Sequence, residues 1–144
     1  IGGVEVRYDR GLLGHSDADA LIHAIVDAVI GALGEGDIGR HFPDSDPRLK
    51  GISSLVILKR AAELAVHRGY AVNNVDSTVI LEKPKLAPFI EEMRRNIAKV
   101  LGTEASRVNV KAKTNEKMGF IGRGEGIAAF AVVTLARAGA DEVA

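Results

Sequence analysis

A helix that begins in a polar segment and continues as an apolar face constrains this fold more than any other feature of the sequence. The segment reads GHSDADALIH over residues 14–23, and apolar residues at helical spacing follow it. This pattern predicts a helix over residues 17–33. Ser16 is expected to cap the helix, because its hydroxyl can accept a bond from a first-turn N–H group. We expect Asp17 and Asp19 in the first turn, where the helix dipole favours negative charge.

Three ionisable side chains recur at four-residue spacing along this helix. Asp19, His23 and Asp27 therefore share one face. His23 is a candidate metal ligand, since neutral imidazole commonly binds metals; the alternative is a structural histidine bonded to Asp19 or Asp27. One histidine cannot hold zinc alone, because catalytic zinc sites have about three protein ligands. His15 precedes the helix, close to the positive end where anions bind.

The composition excludes several functional classes. The 144 residues, predicted to form a single domain over 1–144, include 19 acidic and 19 basic residues and no cysteine. Balanced charge argues against a broad basic surface for nucleic acid, and the lack of cysteine excludes disulfides and thiolate metal sites. No apolar run reaches the length of a membrane span and no signal peptide is visible, so we expect neither nucleic acid nor membrane as a partner.

Glycine, proline and serine divide the remaining chain into alternating elements. Strands are predicted over 1–8, 72–82, 108–114 and 126–137, and further helices over 53–68 and 87–101. The fold predicted from this order is an α/β (α+β) sandwich, in which helices pack on one face of a mixed β-sheet.

An acidic loop over residues 37–50 reads DIGRHFPDSDPRLK. Asp37, Asp44 and Asp46 could bind polyhydroxy groups or a cation. The alternative is an ordinary Asx-turn loop, in which the carboxylates bond to nearby backbone groups. The spacing does not fit an EF-hand, which needs glycine at the sixth position and glutamate at the twelfth.

The tetrapeptide Lys113-Thr114-Asn115-Glu116 closes one strand and opens a loop. A lysine, a hydroxyl and backbone N–H groups suit phosphate, and Glu116 could bind magnesium that bridges phosphates. The alternative is a solvated turn. The glycines over residues 119–126 match neither a Walker A nor a Rossmann fingerprint, which argues against those modes of nucleotide binding.

Taken together, these motifs resemble the 2-C-methyl-D-erythritol 2,4-cyclodiphosphate synthase family over essentially the whole chain. The segments that carry the resemblance are GLLGHSDADALIHAIVDA, GDIGRHFPDSDP, LEKPKLAP and VNVKAKTNEKMGFIGRGEGIA. The resemblance implies an intramolecular phosphoryl transfer in non-mevalonate isoprenoid biosynthesis. The 2-phosphate of 4-diphosphocytidyl-2-C-methyl-D-erythritol 2-phosphate attacks the β-phosphorus, and CMP leaves. Such chemistry requires positioning and neutralised charge more than a protein nucleophile.

The same resemblance implies catalytic and metal-binding roles. His15 and Thr114 match residues that stabilise the transition state near the phosphates. His23 matches a zinc ligand, and Glu116 matches the ligand of a magnesium or manganese ion. The remaining zinc ligands are expected in an Asp-x-His motif that lies upstream of the position matched by Ile1.

Three segments match the substrate-binding parts of the family. Residues 37–39 match the methylerythritol-binding segment, residues 42–46 the loop that covers it, and residues 81–87 the cytidine-binding segment, whose backbone groups would read the base. The implied substrate-binding residues are Ser16, Asp37, Ile38, Gly39, Phe42, Pro43, Asp44, Ser45, Asp46, Leu81, Glu82, Lys83, Pro84, Lys85, Leu86, Ala87, Lys113 and Asn115.

The resemblance also implies a homotrimer with active sites between neighbouring subunits. Phe120 and Arg123 match residues at the three-fold axis, where an isoprenoid diphosphate can occupy a central cavity. We expect such an enzyme in the bacterial cytoplasm, or in the plastid stroma of a eukaryote. Two alternative functions use the same residues: a metal-dependent phosphoesterase with acyclic products, and a trimeric diphosphate-binding module without turnover.

Overall fold

A mixed sheet of three strands forms the centre of the protein. The computed structural model describes residues 1–11 and 17–139. The strands are β1 (Tyr70–Ile80), β2 (Val108–Lys113) and β3 (Ala128–Arg137). They lie in the order β2-β1-β3, with β1 parallel to β2 and antiparallel to β3. The predicted mixed sheet is therefore confirmed.

Three long helices contact this sheet, and two short helices lie in the connections. The helices are α1 (Ala20–Ala32), α2 (Ile38–His41), α3 (Ser54–His67), α4 (Ile90–Leu101) and α5 (Gly119–Gly122). On β1 the buried residues Val75, Ser77 and Val79 alternate with half-buried ones, as in a strand with one covered face. The helices therefore cover one face of the sheet, and the fold is of the α+β type.

The apolar face of α1 forms much of the core. Its completely buried side chains are Leu21, Ile22, Ile25, Val26, Val29 and Ile30. Burial of each such side chain stabilises the fold by about 1.5–3 kcal/mol relative to exposure. The helical spacing of apolar residues that predicted α1 therefore coincides with the residues that α1 buries in the core.

The opposite face of the sheet is open in the single chain. Phe130 and Val132 on β3 are 63% and 68% exposed. Beside them Asp76 accepts hydrogen bonds from Asn109 Nδ2 and Lys111 Nζ, each at 3.0 Å. The register sets Asp76 directly between Asn109 and Val132. The open face therefore carries exposed apolar side chains on β3 beside hydrogen-bonded polar side chains on β1 and β2.

The predicted strand over residues 1–8 is wrong, since residues 1–11 contain no strand. Gly2 and Gly3 have φ angles of +62° and +75°, which break an extended backbone. Their N–H groups donate to the Asp19 carboxylate at 2.9 and 2.8 Å. The alternation of Val4 and Val6 suggested a strand, but turn geometry decides the conformation here.

The predicted start of the first helix is also wrong. The helix begins at Ala20, and Asp19 is its N-cap, with an oxygen that accepts the Ile22 N–H at 3.1 Å. Ala18 has a φ of +56°, which stops the helix from extending toward Asp17. Neither Asp17 nor Asp19 therefore lies in the first turn as expected, and the predicted cap Ser16 lies outside the described residues.

The other predicted boundaries agree with the structure to within a few residues. The helix predicted over residues 87–101 consists of a 3-10 turn at Ala87–Phe89 and then α4. Within residues 1–11 and 17–139, no helix combines the length and apolarity that crossing a bilayer requires.

We expect Asp19→Ala to destabilise the protein by about 2–4 kcal/mol, because it removes a helix cap and leaves the Gly2 N–H buried without its acceptor. Asp19→Asn should cost less, since its amide oxygen keeps one acceptor. Urea unfolding followed by circular dichroism measures both effects. The control Glu63→Ala, on the exposed side of α3, should stay within about 0.5 kcal/mol of the unchanged protein. Equal stability of the Asp19 and Glu63 variants would contradict the anchoring role.

Candidate functional site

A cavity of about 480 Å³ lies between α1 and the acidic loop. It is lined by His23, Ile38, Gly39, Phe42, Asp44, Leu49 and Ile57. The structure therefore brings the candidate metal ligand His23 together with several residues predicted to bind the methylerythritol group.

A hydrogen-bond chain fixes the His23 ring. Its Nε2 lies 2.8 Å from Ser54 Oγ, and the Ser54 hydroxyl donates to Asp17 Oδ1. The Ser54 N–H donates to the other Asp17 oxygen at 2.9 Å. Burial raises the pKa of the Asp17 carboxyl, but the two hydrogen bonds from Ser54, the hydrogen bond from the Asp19 N–H and the charge of His23 together outweigh burial and hold the pKa below its usual value.

The direction of these hydrogen bonds assigns the histidine tautomer. Because the Ser54 hydroxyl gives its hydrogen to a carboxylate, its oxygen accepts from His23, so Nε2 carries the ring hydrogen. In the neutral imidazole Nδ1 then carries the lone pair. Ser54, which is fully buried, is the functional residue that sequence reasoning missed. Nothing in the sequence pointed to its contact with His23.

The two carboxylates on the same helix face as His23 bind backbone groups. Asp19 is 4% exposed and accepts three N–H groups. Asp27 accepts the Ile38 N–H at 2.9 Å and thereby fixes the start of α2 against α1. The stripe predicted on this helix face thus divides into two structural carboxylates and one imidazole that faces the cavity.

Two carboxylates of the acidic loop form the local turns that the Asx-turn interpretation predicted. Asp37 accepts the Arg40 N–H at 3.0 Å as the N-cap of α2. Asp46 accepts the Arg48 N–H at 3.0 Å and also pairs with the Arg48 guanidinium. Asp44 is exposed and lines the cavity.

The phosphate turn, residues 114–117, follows β2 directly. Thr114 and Glu116 are exposed. Glu116 and Lys117 have φ angles of +52° and +62°, in the left-handed region that residues other than glycine rarely adopt. A Cβ at Gly122 would lie 2.1 Å from the Lys117 carbonyl carbon, so only glycine lets α5 approach the phosphate turn so closely.

A second cavity, of about 180 Å³, lies between the predicted cytidine segment and the end of β2. It is lined by Leu81, Glu82, Pro84, Lys85, Leu86, Ala87, Ile90, Ala112, Lys113 and Thr114. The structure therefore brings nearly all of the predicted cytidine-binding residues together with two predicted phosphate-binding ones. Of the residues predicted in the cytidine segment and in the tetrapeptide over residues 113–116, Lys83, Asn115 and Glu116 do not line this cavity.

The two cavities share no lining residue within residues 1–11 and 17–139. His23 lines the first cavity and Thr114 lines the second. The single chain therefore does not bring the predicted zinc ligand and the predicted phosphate residues into one cavity. His15 and Ser16, which were predicted beside the phosphates, lie outside the described residues.

The residues predicted at the three-fold axis lie on and just after α5. Phe120 is 53% exposed. Arg123 Nε lies 3.0 Å from Glu125 Oε1. The hydrogen bond from Arg123 and its charge keep the pKa of Glu125 below its usual value. Arg123 therefore has a carboxylate partner two residues away in the same chain.

The described residues do not by themselves form a zinc site. Over residues 1–11 and 17–139, no group of three His, Cys, Asp or Glu side chains could hold a metal ion. His23 has the chemistry of a metal ligand, because its Nε2 is hydrogen-bonded to Ser54. In most metal-ligating histidines the nitrogen that does not bind the metal is hydrogen-bonded in this way. Glu116 fits a hard cation that takes its other oxygens from phosphates and water, since it is an exposed carboxylate beside Thr114.

Comparison with known proteins decides the family. A model of the YgbB family matches residues 1–136. The chain belongs to the YgbB family. Its motifs therefore identified the family correctly from the sequence.

Relatives of this YgbB-family chain have a consistent name. The protein named 2-C-methyl-D-erythritol 2,4-cyclodiphosphate synthase from Geotalea uraniireducens (strain Rf4) is 59% identical over 137 residues, 95% of this chain and 87% of that protein. The protein of the same name from Geobacillus kaustophilus (strain HTA426) is 62% identical over 135 residues, 94% of this chain and 85% of that protein.

Solved structures agree with the family fold. The bifunctional IspDF from Campylobacter jejuni matches with a TM-score of 0.90 and 43% identity, over 94% of this chain and 37% of that longer one. The IspF–CDP complex from Plasmodium falciparum matches with a TM-score of 0.77 and 38% identity, over 88% of this chain and 76% of that one.

We expect Ser54→Ala to release the His23 ring. The substitution removes the acceptor of the Nε2 hydrogen, so the Nδ1-protonated tautomer should become populated, and the protein should lose about 1–3 kcal/mol of stability. Nitrogen-15 NMR of the imidazole measures the tautomer ratio. Ser53→Ala is the matched control, because the neighbouring hydroxyl caps α3 through the Leu55 N–H and does not contact His23. Identical imidazole spectra for both variants would disprove the assignment.

Proposed function

We propose that this chain converts 4-diphosphocytidyl-2-C-methyl-D-erythritol 2-phosphate to 2-C-methyl-D-erythritol 2,4-cyclodiphosphate and CMP, as a lyase of non-mevalonate isoprenoid biosynthesis. One observation carries the proposal: a synthase of that name is 59% identical over 95% of the chain. The two cavities support it, since one suits a small polyol beside His23 and the other suits a nucleotide beside Thr114.

In this proposal the cavity between the cytidine segment and the phosphate turn holds the nucleotide. The backbone of residues 81–87 reads the cytosine base, and Lys85 lies close to the nucleotide as a cation. A relative solved with CDP supports a cytidine nucleotide as the ligand class. The diphosphate then lies against Lys113 and Thr114, which line this cavity at the end of β2.

The reaction brings two anionic phosphates together, so positive charge and hydrogen-bond donors must be aligned before the bond forms. Thr114 supplies a hydroxyl donor to the phosphates, and His15 supplies a second donor. Lys113, which is exposed at the end of β2, supplies a mobile positive charge. The 2-phosphate of the substrate is itself the nucleophile, so no serine or cysteine has to form a covalent intermediate.

We assign His23 to zinc and Glu116 to magnesium or manganese. Bound cations would neutralise phosphate charge and act as Lewis acids on the phosphoryl oxygens. Ser54 orients the His23 ring, and Glu116 is exposed on the left-handed backbone of the phosphate turn. The further zinc ligands are expected in the Asp-x-His motif upstream of Ile1.

We also propose a homotrimer in which neighbouring subunits complete each active site. Two observations support it: the cavities of His23 and Thr114 share no residue, and the open face of the sheet exposes Phe130 and Val132. Phe120 and Arg123 would then meet around the three-fold axis. A central cavity there would suit an isoprenoid diphosphate, because Arg pairs well with phosphate and an aromatic ring suits its apolar tail.

Phosphorus NMR of the reaction products tests the activity. With zinc and magnesium present, and with the Asp-x-His segment attached, we expect a cyclic diphosphate and CMP in equal amounts. Thr114→Ala should lower kcat by about 10²–10³-fold, as loss of one preorganised donor does. Thr103→Ala, in the turn after α4, is the control and should keep full activity. Inorganic phosphate with an acyclic product would instead indicate a phosphoesterase, and binding without CMP release a binding module.

Sedimentation and light scattering test the assembly. We expect a trimer, and we expect Val132→Glu to dissociate it, because the charge would be buried on the open face of the sheet. Val66→Glu is the matched control, since Val66 on α3 is 63% exposed and Val132 is 68% exposed. Mixed trimers of His23→Ala and Glu116→Ala subunits should regain part of the activity. A monomer with full activity would contradict shared sites.

A further inference from the structure

Glu82 lies in the predicted cytidine segment, but its carboxylate contacts the phosphate turn. Oε2 accepts the Asn115 N–H at 3.0 Å, and Oε1 accepts the Lys117 N–H at 3.0 Å. The two N–H groups lie on either side of Glu116. One side chain thus binds the backbone before and after the residue assigned to the divalent cation.

The phosphate turn needs such a support. Glu116 and Lys117 both adopt left-handed backbone conformations, which L-residues keep only when surrounding contacts require them. The Asn115 side chain donates to the Met118 carbonyl at 2.8 Å, which closes the turn from within. The Gly122 backbone lies so close to Lys117 that a Cβ at Gly122 would lie 2.1 Å from the Lys117 carbonyl carbon. The turn is therefore contacted by the Glu82 carboxylate and by Gly122, the last residue of α5.

The chemistry of Glu82 fits a support role better than a direct contact with phosphate. A carboxylate repels an anionic substrate, so it is a poor phosphate ligand at this position. A carboxylate also offers an acceptor oxygen at both ends of its fork. The isosteric glutamine offers one acceptor and one NH₂ group, and the NH₂ would face an N–H donor. A carboxylate therefore suits the two N–H groups on either side of Glu116 better than a carboxamide does.

We propose that Glu82 is a positioning residue that holds the phosphate turn in the conformation which presents the Thr114 hydroxyl and the Glu116 carboxylate to the reacting phosphates. Because Glu82 belongs to the cytidine segment, it also fixes the distance between the nucleotide cavity and the phosphate turn. This inference rests on the proposed function, and it assigns to the Glu82 side chain a role separate from the backbone contacts expected of residues 81–87.

The proposal predicts a split between binding and chemistry. The backbone of residues 81–87, which is proposed to contact the base, does not depend on the two Glu82 hydrogen bonds, so the affinity for CMP should change by less than about threefold in Glu82→Gln. Displacement of Thr114 and Glu116 should lower kcat by about ten- to a hundredfold, since a shift near 1 Å can lower a rate by about a hundredfold. Half-maximal activity should also require more magnesium, because the Glu116 carboxylate is no longer held in place.

Amide hydrogen exchange provides a readout independent of turnover. In the unchanged protein the Asn115 and Lys117 amides should exchange slowly. In Glu82→Gln at least one of them should exchange at least tenfold faster, while amides within β1 keep their protection. Glu92→Gln is the matched control, because Glu92 is exposed on the first turn of α4. The substitution makes the same change of charge at a position away from the phosphate turn.

The outcomes separate this proposal from the proposed function. Unchanged exchange at Asn115 and Lys117 in Glu82→Gln would overturn the support of the turn, whatever the activity. Faster exchange with an unchanged kcat would overturn its role in positioning. An unchanged protein that releases no CMP would overturn the proposed function and the catalytic part of this inference together, while the exchange data still decide whether Glu82 holds the turn. Thermal unfolding of each variant shows that the fold is retained.

Discussion

The buried carboxylate of Asp19 is the interaction on which the rest of the structure depends. It accepts N–H groups from Gly2, Gly3 and Ile22, so it joins the first residues of the chain to the start of α1. A buried carboxylate is tolerated only when its oxygens are satisfied in this way. Because α1 starts at a fixed point, His23 is placed one turn later against the start of α3. The position of the candidate metal ligand is thus a consequence of a helix cap.

The same device recurs through the candidate site. Several acidic side chains around the candidate site bind backbone N–H groups: Asp27 holds the start of α2, Asp37 caps it, and Glu82 contacts the phosphate turn. Charge-assisted bonds to backbone N–H groups are strong and directional. These bonds fix the conformation of the loops, so that the exposed carboxylates of Asp44 and Glu116 lie on a preorganised backbone.

Periodicity and motif order predicted the elements, the mixed sheet and the family. The apolar face of α1 and the alternation along β1 were readable because they repeat. The start of α1 and the supposed strand over residues 1–8 were not, because both depend on Asp19 binding Gly2 and Gly3 across the fold. The contacts of Ser54 with His23 and Asp17 are non-local as well. Sequence motifs indicate candidate ligands. They do not show which residue of another element will hydrogen-bond to a candidate ligand and fix the orientation of its side chain.

The parallel pairing of β1 with β2 has a consequence for folding and for the lifetime of the site. This pairing sets Ile80 beside Lys113 and so brings the two segments that follow them together across 33 residues of sequence. Non-local pairs form after local helices, because loop closure opposes them. The nucleotide cavity should therefore mature late during folding. Any fluctuation that frays the β2 edge should abolish the cavity and the phosphate turn in a single step, so that a chain with intact helices would already lack the cavity proposed for the nucleotide.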